Sequence, residues 1–116
     1  LFGAAVMHLG TERHHQQWLP GIMNMDIPGA FAMTETGHGS DVSAIGTTAT
    51  FDETTDEFVL TTPFRAAWKD YLGNAALHGR AAVVESRVHS TASREDRGVA
   101  GARGMALTRR RRWSWD

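Results

Sequence analysis

The pattern of hydrophobic and polar residues predicts two helices near the start of the chain. In residues 1–9 the apolar side chains recur at helical spacing, and Gly10 is placed to end this helix. Thr11 is a typical first capping residue for a second short helix, which we expect to end at Leu19, before Pro20. The two helices therefore meet at a tight corner.

β-branched and aromatic residues further along predict strands. The polar stretch 52–56 separates two such runs and indicates a hairpin. We therefore predict an α+β fold in which two short helices precede an antiparallel β-unit. The predicted strands are residues 31–33, 47–51, 57–61, 67–72 and 80–84.

A polar loop with two glycines follows the first predicted strand without a linker. Gly37 and Gly39 can take backbone angles closed to other residues, so their amides can turn inward. Thr34, Thr36 and Ser40 supply hydroxyl donors beside them. The loop can therefore hold an anionic ligand, and a plain polar turn is the alternative.

Composition narrows the class of protein. The 116 residues are 41% hydrophobic, which suits one modest globular domain, and the start at Leu1 suggests a fragment. The chain has no cysteine, so it offers neither a disulfide framework nor a thiolate site. No apolar run approaches the roughly 18 residues of a membrane-spanning helix. With no signal peptide visible, we expect a soluble, cytoplasmic protein.

Histidines in the two helices raise the question of a metal site. His8 and His15 are seven residues apart, and His14 is adjacent to the second. A metal needs ligands that converge on one point, and no carboxylate or cysteine is placed to complete the set. We therefore expect solvated or capping histidines and no metal.

Charge separates residues 85–116 from the rest of the chain. Residues 1–84 carry 4 Lys+Arg and 9 Asp+Glu, whereas residues 85–116 carry 8 and 4. Because residues 90–112 show neither a helical nor a strand period, we expect an irregular basic tail. Three interpretations of this tail are open. It is a disordered segment, or it contacts nucleic acid or an anionic surface through Arg109–Arg112 and the two tryptophans after them. The third interpretation is that a frameshift near codon 84 produced it. We favour the frameshift.

Several separated blocks, in one order, resemble the flavin-dependent acyl-CoA oxidases and dehydrogenases. The loop segment FAMTETGHGSD (31–41) carries the resemblance. Its flanking blocks are LGTERH (9–14), WLP (18–20), WKDYLGNAA (68–76) and HGR (78–80). The resemblance covers residues 1–84. It implies that residues 1–27 end an N-terminal helical domain, that 28–84 are part of the middle β-domain, and that 85–116 lie outside the family.

The resemblance implies a reaction and a cofactor. Enzymes of this family oxidise fatty acyl-CoA to the trans-2-enoyl-CoA in fatty-acid β-oxidation. A glutamate removes the α-proton while the β-hydrogen leaves as hydride to the flavin of FAD. By matching positions, the cofactor-binding residues are Met33, Thr34, Gly39, Ser40, Tyr71 and Gly73, and Ser40 also lies near the CoA phosphates.

Each matched residue has an implied role. Met33 and Thr34 contact the flavin ring through backbone and hydroxyl donors, and Gly39 and Ser40 lie at the pyrophosphate. Tyr71 packs on the ring. The oxidase branch is favoured by the sequence of residues 36–38 and by Gly73, where many dehydrogenases have threonine, although Asp41 is the dehydrogenase-like residue.

The resemblance also implies what this chain lacks. In the family the catalytic glutamate lies in a C-terminal helical domain that these residues do not include, so we assign no catalytic residue and expect the chain alone to be inactive. Glu35 is expected to support the loop. The intact enzyme is expected to be a homo-oligomer that binds fatty acyl-CoA, and a small nucleic-acid-binding or surface-binding protein is the alternative.

Overall fold

The computed structural model describes residues 1–75 and 77–89 in full and the backbone of residues 103–109. The described residues form two compact units. The α+β class predicted from the sequence is confirmed. The helices are α1 (Phe2–Leu9) and α2 (Glu12–Met23), and the strands are β1 (Gly29–Ala32), β2 (Thr48–Asp52), β3 (Glu57–Thr61), β4 (Ala81–His89) and β5 (Arg103–Arg109). None of the described helices is both long and apolar enough to cross a membrane.

The first unit contains Leu1–Ala32 and Leu72–Val84. Strand β1 pairs in parallel with the first half of β4, with Gly29 opposite Ala81. The two helices bury their apolar faces against this pair. The core cluster consists of Phe2, Val6, Trp18, Ala81 and Val83. Burial of these side chains holds both helices on the strand pair.

Helix α2 is longer than the sequence predicts. It continues through Pro20 and ends at Met23. Proline has no N–H to donate inside a helix, which is why we expected the helix to end before it. However, Ile22 packs against the core cluster, so the last turn gains apolar contacts that offset the missing hydrogen bond.

The second unit contains Met33–Tyr71 and continues with β4 from Glu85. Strands β2 and β3 form the predicted hairpin, with Thr48 opposite Thr61. The rings of Phe51 and Phe58 pack against each other across it in a tilted arrangement, with centroids 5.2 Å apart. Strand β2 also pairs in parallel with the end of β4.

Several strand predictions are wrong in detail. The β-unit is mixed and not antiparallel, because β4 runs parallel to both β1 and β2. Residues 67–72 do not form a strand: a short 3-10 helix occupies Arg65–Ala67, and Tyr71 has a φ of 56° that no strand accommodates. The carbonyl of Trp68 is instead bonded to the loop at Thr36.

The chain also remains regular beyond the predicted break at Val84. Strand β4 continues to His89 and buries the polar residues Glu85 and Ser86. Strand β5 pairs with β4, so part of the segment predicted to be irregular is a strand. Arg110–Arg112 and the tryptophans that follow lie outside the described residues. The three-segment domain division stays a prediction.

Candidate functional site

The carboxylate of Glu35 is the centre of the polar loop in the second unit. Its side chain is buried, with the residue 1% exposed. The N–H of Gly46 donates to Oε2 at 2.8 Å, and the N–H and hydroxyl of Thr47 donate to Oε1 at 2.9 and 2.6 Å. Lys69 Nζ lies 3.1 Å from the same oxygen. Glu35 therefore supports the loop, as the sequence predicts.

The environment of Glu35 keeps it ionised. Burial is the largest single influence and raises its pKa, but the hydrogen bonds from Thr47, Gly46 and Lys69 together outweigh burial and lower the pKa below its ordinary value. Burial also lowers the pKa of Lys69, against the opposing attraction of Glu35 and Glu85. Glu35 and Lys69 thus form a buried ion pair and not a site of proton transfer.

Backbone hydrogen bonds attach the loop to residues 66–70. The N–H of Thr36 donates to Trp68 O at 2.9 Å, and the N–H of Asp70 donates to Thr34 O at 3.0 Å. Lys69 Nζ donates to Met33 O at 2.8 Å. The first half of the predicted ligand loop is therefore held by one short segment.

Gly37 is needed for close approach. Its N–H donates to Ala66 O at 2.9 Å. A side-chain carbon added to Gly37 would lie 2.8 Å from Cβ of Ala66, which is too close for any real contact. The turn formed by Thr36 and Gly37 thus requires glycine for packing.

The predicted ligand residues on the loop retain unused donors. Within the described part of the chain, the hydroxyls of Thr34 and Ser40 have no hydrogen-bond partner, and neither does the N–H of Thr34. Ser40 and Gly39 are exposed, and no atom lies within 4 Å of a carbon added to Gly39. The open backbone at Gly39 and the free donors leave space and hydrogen bonds for an electron-rich ligand.

Tyr71 is exposed and strained. It is 85% exposed, and its φ of 56° lies in the left-handed region that costs a non-glycine residue roughly 1–2 kcal/mol. Packing within the described chain does not offset this conformational cost, because the Tyr71 ring buries almost no area. Strained residues of this kind cluster at ligand sites.

Five of the six predicted site residues lie in the same compact unit. Met33, Thr34, Gly39, Ser40 and Tyr71 belong to the second unit, whereas Gly73 belongs to the first. Gly73 is exposed, with no atom within 4 Å of an added side-chain carbon. Its role beside the flavin stays a prediction.

Sequence analysis missed three residues that hold the loop, namely Gly46, Thr47 and Lys69. They are 11, 12 and 34 positions from Glu35, and no local motif connects them. Glu35 stands between two threonines in a polar loop, so nothing in the local sequence marked it as a buried carboxylate that requires donors. Its partners depend on the tertiary fold.

The predicted capping role of a histidine is confirmed. His14 Nδ1 accepts the N–H of Thr11 at 3.0 Å, at the start of α2. Among the described residues no group of three or more potential ligands is close enough to hold a metal ion.

Known proteins match this chain over most of its length, although no protein-family model matches it. It is 47% identical over 103 residues to the peroxisomal acyl-coenzyme A oxidase 2 of Arabidopsis thaliana. This alignment covers 85% of this chain and 15% of that protein. It is 46% identical over 84 residues to the acyl-coenzyme A oxidase-like protein of Mus musculus, covering 72% of this chain and 13% of that protein. The structure of Arabidopsis thaliana acyl-CoA oxidase 1 superposes on it with a TM-score of 0.83 at 35% identity, over 94% of this chain and 16% of that one. The chain is homologous to a segment of the acyl-CoA oxidases.

A further oxidase structure carries ligands. Acyl-CoA oxidase-1 of Caenorhabditis elegans, complexed with FAD and ATP, matches with a TM-score of 0.82 at 28% identity over 94% of this chain and 16% of that one. The named relatives are oxidases, in agreement with the branch predicted from residues 36–38. The chain spans about 15% of the length of the peroxisomal acyl-coenzyme A oxidase 2 of Arabidopsis thaliana.

The alignment also corrects the predicted extent of the resemblance. The match to the Arabidopsis thaliana oxidase 2 covers 85% of the chain, a share that residues 1–84 alone do not provide. The similarity therefore extends beyond Val84. The frameshift near codon 84 stays a hypothesis.

Proposed function

We propose that this chain forms part of the flavin and acyl-CoA cradle of an FAD-dependent acyl-CoA oxidase acting in fatty-acid β-oxidation. The loop from Met33 to Ser40 carries this proposal: a buried ion pair fixes it while its donors at Thr34 and Ser40 stay unused. Such an arrangement matches a loop organised in advance for a ligand. Similarity to an oxidase solved with FAD supports the identity of that ligand.

The residues present fit FAD. The free N–H and hydroxyl of Thr34 suit the acceptor atoms of a flavin ring, and the open, exposed backbone at Gly39 and Ser40 suits a pyrophosphate. Tyr71 offers an exposed aromatic face for packing against a flat ring. Met33, Thr34, Gly39, Ser40 and Tyr71 would hold the cofactor, and Ser40 would also lie near the CoA phosphates.

The cofactor and the residues of this chain would have different roles in the reaction. FAD would supply the acceptor for the hydride that leaves the β-carbon of the acyl chain. The chain itself binds and orients: Thr34 donates hydrogen bonds, Tyr71 covers an apolar face, and Glu35 with Lys69 keeps the loop in one conformation. No residue of the described chain is assigned as the base.

Glu35 is not a candidate for that base. Its carboxylate accepts hydrogen bonds from Gly46 and Thr47 and pairs with Lys69, and its lowered pKa disfavours proton uptake. We therefore infer that the chain alone does not catalyse the reaction. Acyl-CoA added to the purified chain with FAD should leave the flavin absorbance unchanged, and bleaching of the flavin would contradict this.

Backbone amide NMR tests the proposed cradle directly. ¹⁵N-labelled chain is titrated separately with FAD, FMN and ADP. We expect FMN to shift the amide signals of Thr34 and Tyr71, ADP to shift those of Gly39 and Ser40, and FAD to shift both sets. Gly46 is the internal control, because its N–H is already bonded to Glu35.

Matched variants distinguish specific from nonspecific binding of ADP. Ser40→Ala should weaken ADP binding, whereas Ser43→Ala, on the 3-10 helix Val42–Ala44 that follows the loop, should not. Ligand-induced shifts scattered over both units, or none at all, would refute the cradle.

The assembly and location of the longer protein are further proposals. We expect a homo-oligomer, which mass measurement in solution tests. A cytoplasmic location stays a prediction, and the names of the Arabidopsis thaliana relatives point to the peroxisome instead. A fluorescent fusion of the intact protein distinguishes the two.

A further inference from the structure

Lys69 contacts the peptide group that joins two predicted ligand residues. Its Nζ donates to the carbonyl oxygen of Met33 at 2.8 Å. The same planar peptide group carries the N–H of Thr34. Thr34 is half-buried, and its N–H makes no hydrogen bond within the described residues. A cation therefore lies at one end of a peptide whose other end is a free donor.

The cation is held in place by opposite charge. Lys69 is largely buried and pairs with Glu35 Oε1 at 3.1 Å, and the charge of Glu85 also acts on it. Glu35 is fixed in turn by the N–H groups of Gly46 and Thr47. Lys69 is thus held between the carboxylate of Glu35 and the carbonyl oxygen of Met33.

A hydrogen bond from a cation polarises the peptide that accepts it. Electron density moves towards the Met33 carbonyl oxygen, so the Thr34 N–H becomes a stronger donor, and the effect is larger where water is excluded. Charge-assisted bonds are roughly twice as strong as neutral ones. The Thr34 N–H is therefore suited to an acceptor that carries or develops negative charge.

We propose that Lys69 is a positioning residue that fixes and polarises the Met33–Thr34 peptide, so that the Thr34 N–H binds an electron-rich acceptor on the flavin ring. This inference rests on the proposed function. It assigns Lys69, which does not itself touch the ligand, to the ligand site. It also implies that the ion pair with Glu35, besides stabilising the fold, positions Lys69 against the Met33–Thr34 peptide.

The test compares FMN binding by the parent chain and by charge variants, followed through the Thr34 amide signal. Lys69→Met should weaken FMN binding roughly five- to tenfold and reduce the FMN-induced shift of Thr34. Lys69→Arg keeps the cation and should restore most of both. Arg13→Met removes an equal charge from an exposed position on α2 and should change neither.

A second variant guards against misfolding. Lys69→Met leaves Glu35 buried without its counter-charge, so the double variant E35Q/K69M, which removes both charges together, is measured in parallel. It should show the same loss of FMN affinity with a native amide spectrum. A purely structural role would leave affinity unchanged in this folded double variant.

The outcomes separate the two proposals. If FMN shifts Ser40 or Tyr71 but not Thr34, or if E35Q/K69M binds FMN as tightly as the parent, the role of Lys69 is refuted while the cradle stands. If neither FMN nor FAD shifts any loop amide of the parent chain, the proposed function fails and this inference fails with it.

Discussion

Thr47 donates both its backbone N–H and its hydroxyl to the same oxygen of Glu35, at 2.9 and 2.6 Å. Both residues are buried, and they are 12 positions apart in the sequence. The pair ties the ligand loop to the start of β2. Because a buried carboxylate is costly without donors, the stability of the second unit depends on this contact.

Thr47→Val should destabilise the chain by about 1–3 kcal/mol, because it keeps the shape but removes one hydrogen bond to a buried charge. Urea unfolding measures the change. Thr48→Val is the matched control: Thr48 is half-buried, and its hydroxyl makes only a 3.5 Å contact with Thr61 O. An equal loss of unfolding free energy in both variants would show that the contact of Thr47 with Glu35 adds no stability beyond that of an ordinary threonine.

Stability should fall in acid partly through Glu35. Because its pKa is lower in the folded chain than in the unfolded one, ionised Glu35 stabilises the fold above the ordinary glutamate value of about 4.3, and this contribution disappears as the pH falls through the lower, folded pKa. Glu35→Gln should therefore flatten the dependence of unfolding free energy on pH below about pH 4.5.

The same variant should also lower stability at pH 7 by roughly 3 kcal/mol, because it leaves Lys69 without its counter-charge. Glu53→Gln removes an equal charge in the exposed turn between β2 and β3 and is the control. An unchanged acid profile for Glu35→Gln would mean that Glu35 does not contribute in this pH range.

Two glycines of the loop should respond differently to alanine. Gly37→Ala places a carbon 2.8 Å from Cβ of Ala66, and such overpacking costs about 1–3 kcal/mol. Gly39→Ala meets no atom within 4 Å and should change stability by less than about 0.5 kcal/mol. If Gly39 instead borders the pyrophosphate, Gly39→Ala should weaken ADP binding while the melting temperature stays the same.

We predict that Tyr71 contributes to FMN binding while its backbone conformation lowers the stability of the chain. Asparagine tolerates the left-handed region, so Tyr71→Asn should stabilise the chain by roughly 1 kcal/mol while weakening FMN binding. Met25 is the matched control, because it is 75% exposed and has a φ of 63° in the first unit. Met25→Asn should bring a similar gain in stability with no change in binding. Unaltered FMN affinity in Tyr71→Asn would remove Tyr71 from the site.

The sequence located the elements with strong periodicity or strong turn signals. The helix of residues 2–9 and the hairpin of β2 and β3 follow from local pattern, because helical spacing and β-branched runs are local properties. The extension of α2 past Pro20 and the absence of a strand at 67–72 were decided by distant contacts. Packing of Ile22 and the bonding of Trp68 O to the loop have no local signature.

By itself the sequence determined the α+β class and the relationship to the acyl-CoA oxidases, and it predicted a ligand loop within residues 31–41, because each depends on residues that are close together or in a fixed order. Tertiary structure alone decided the parallel pairing of β4, the partners of Glu35 and the contact of Lys69 with Met33. A buried charge must find donors wherever the folded chain brings them. The residues that meet it are therefore set by the fold and not by their spacing along the chain.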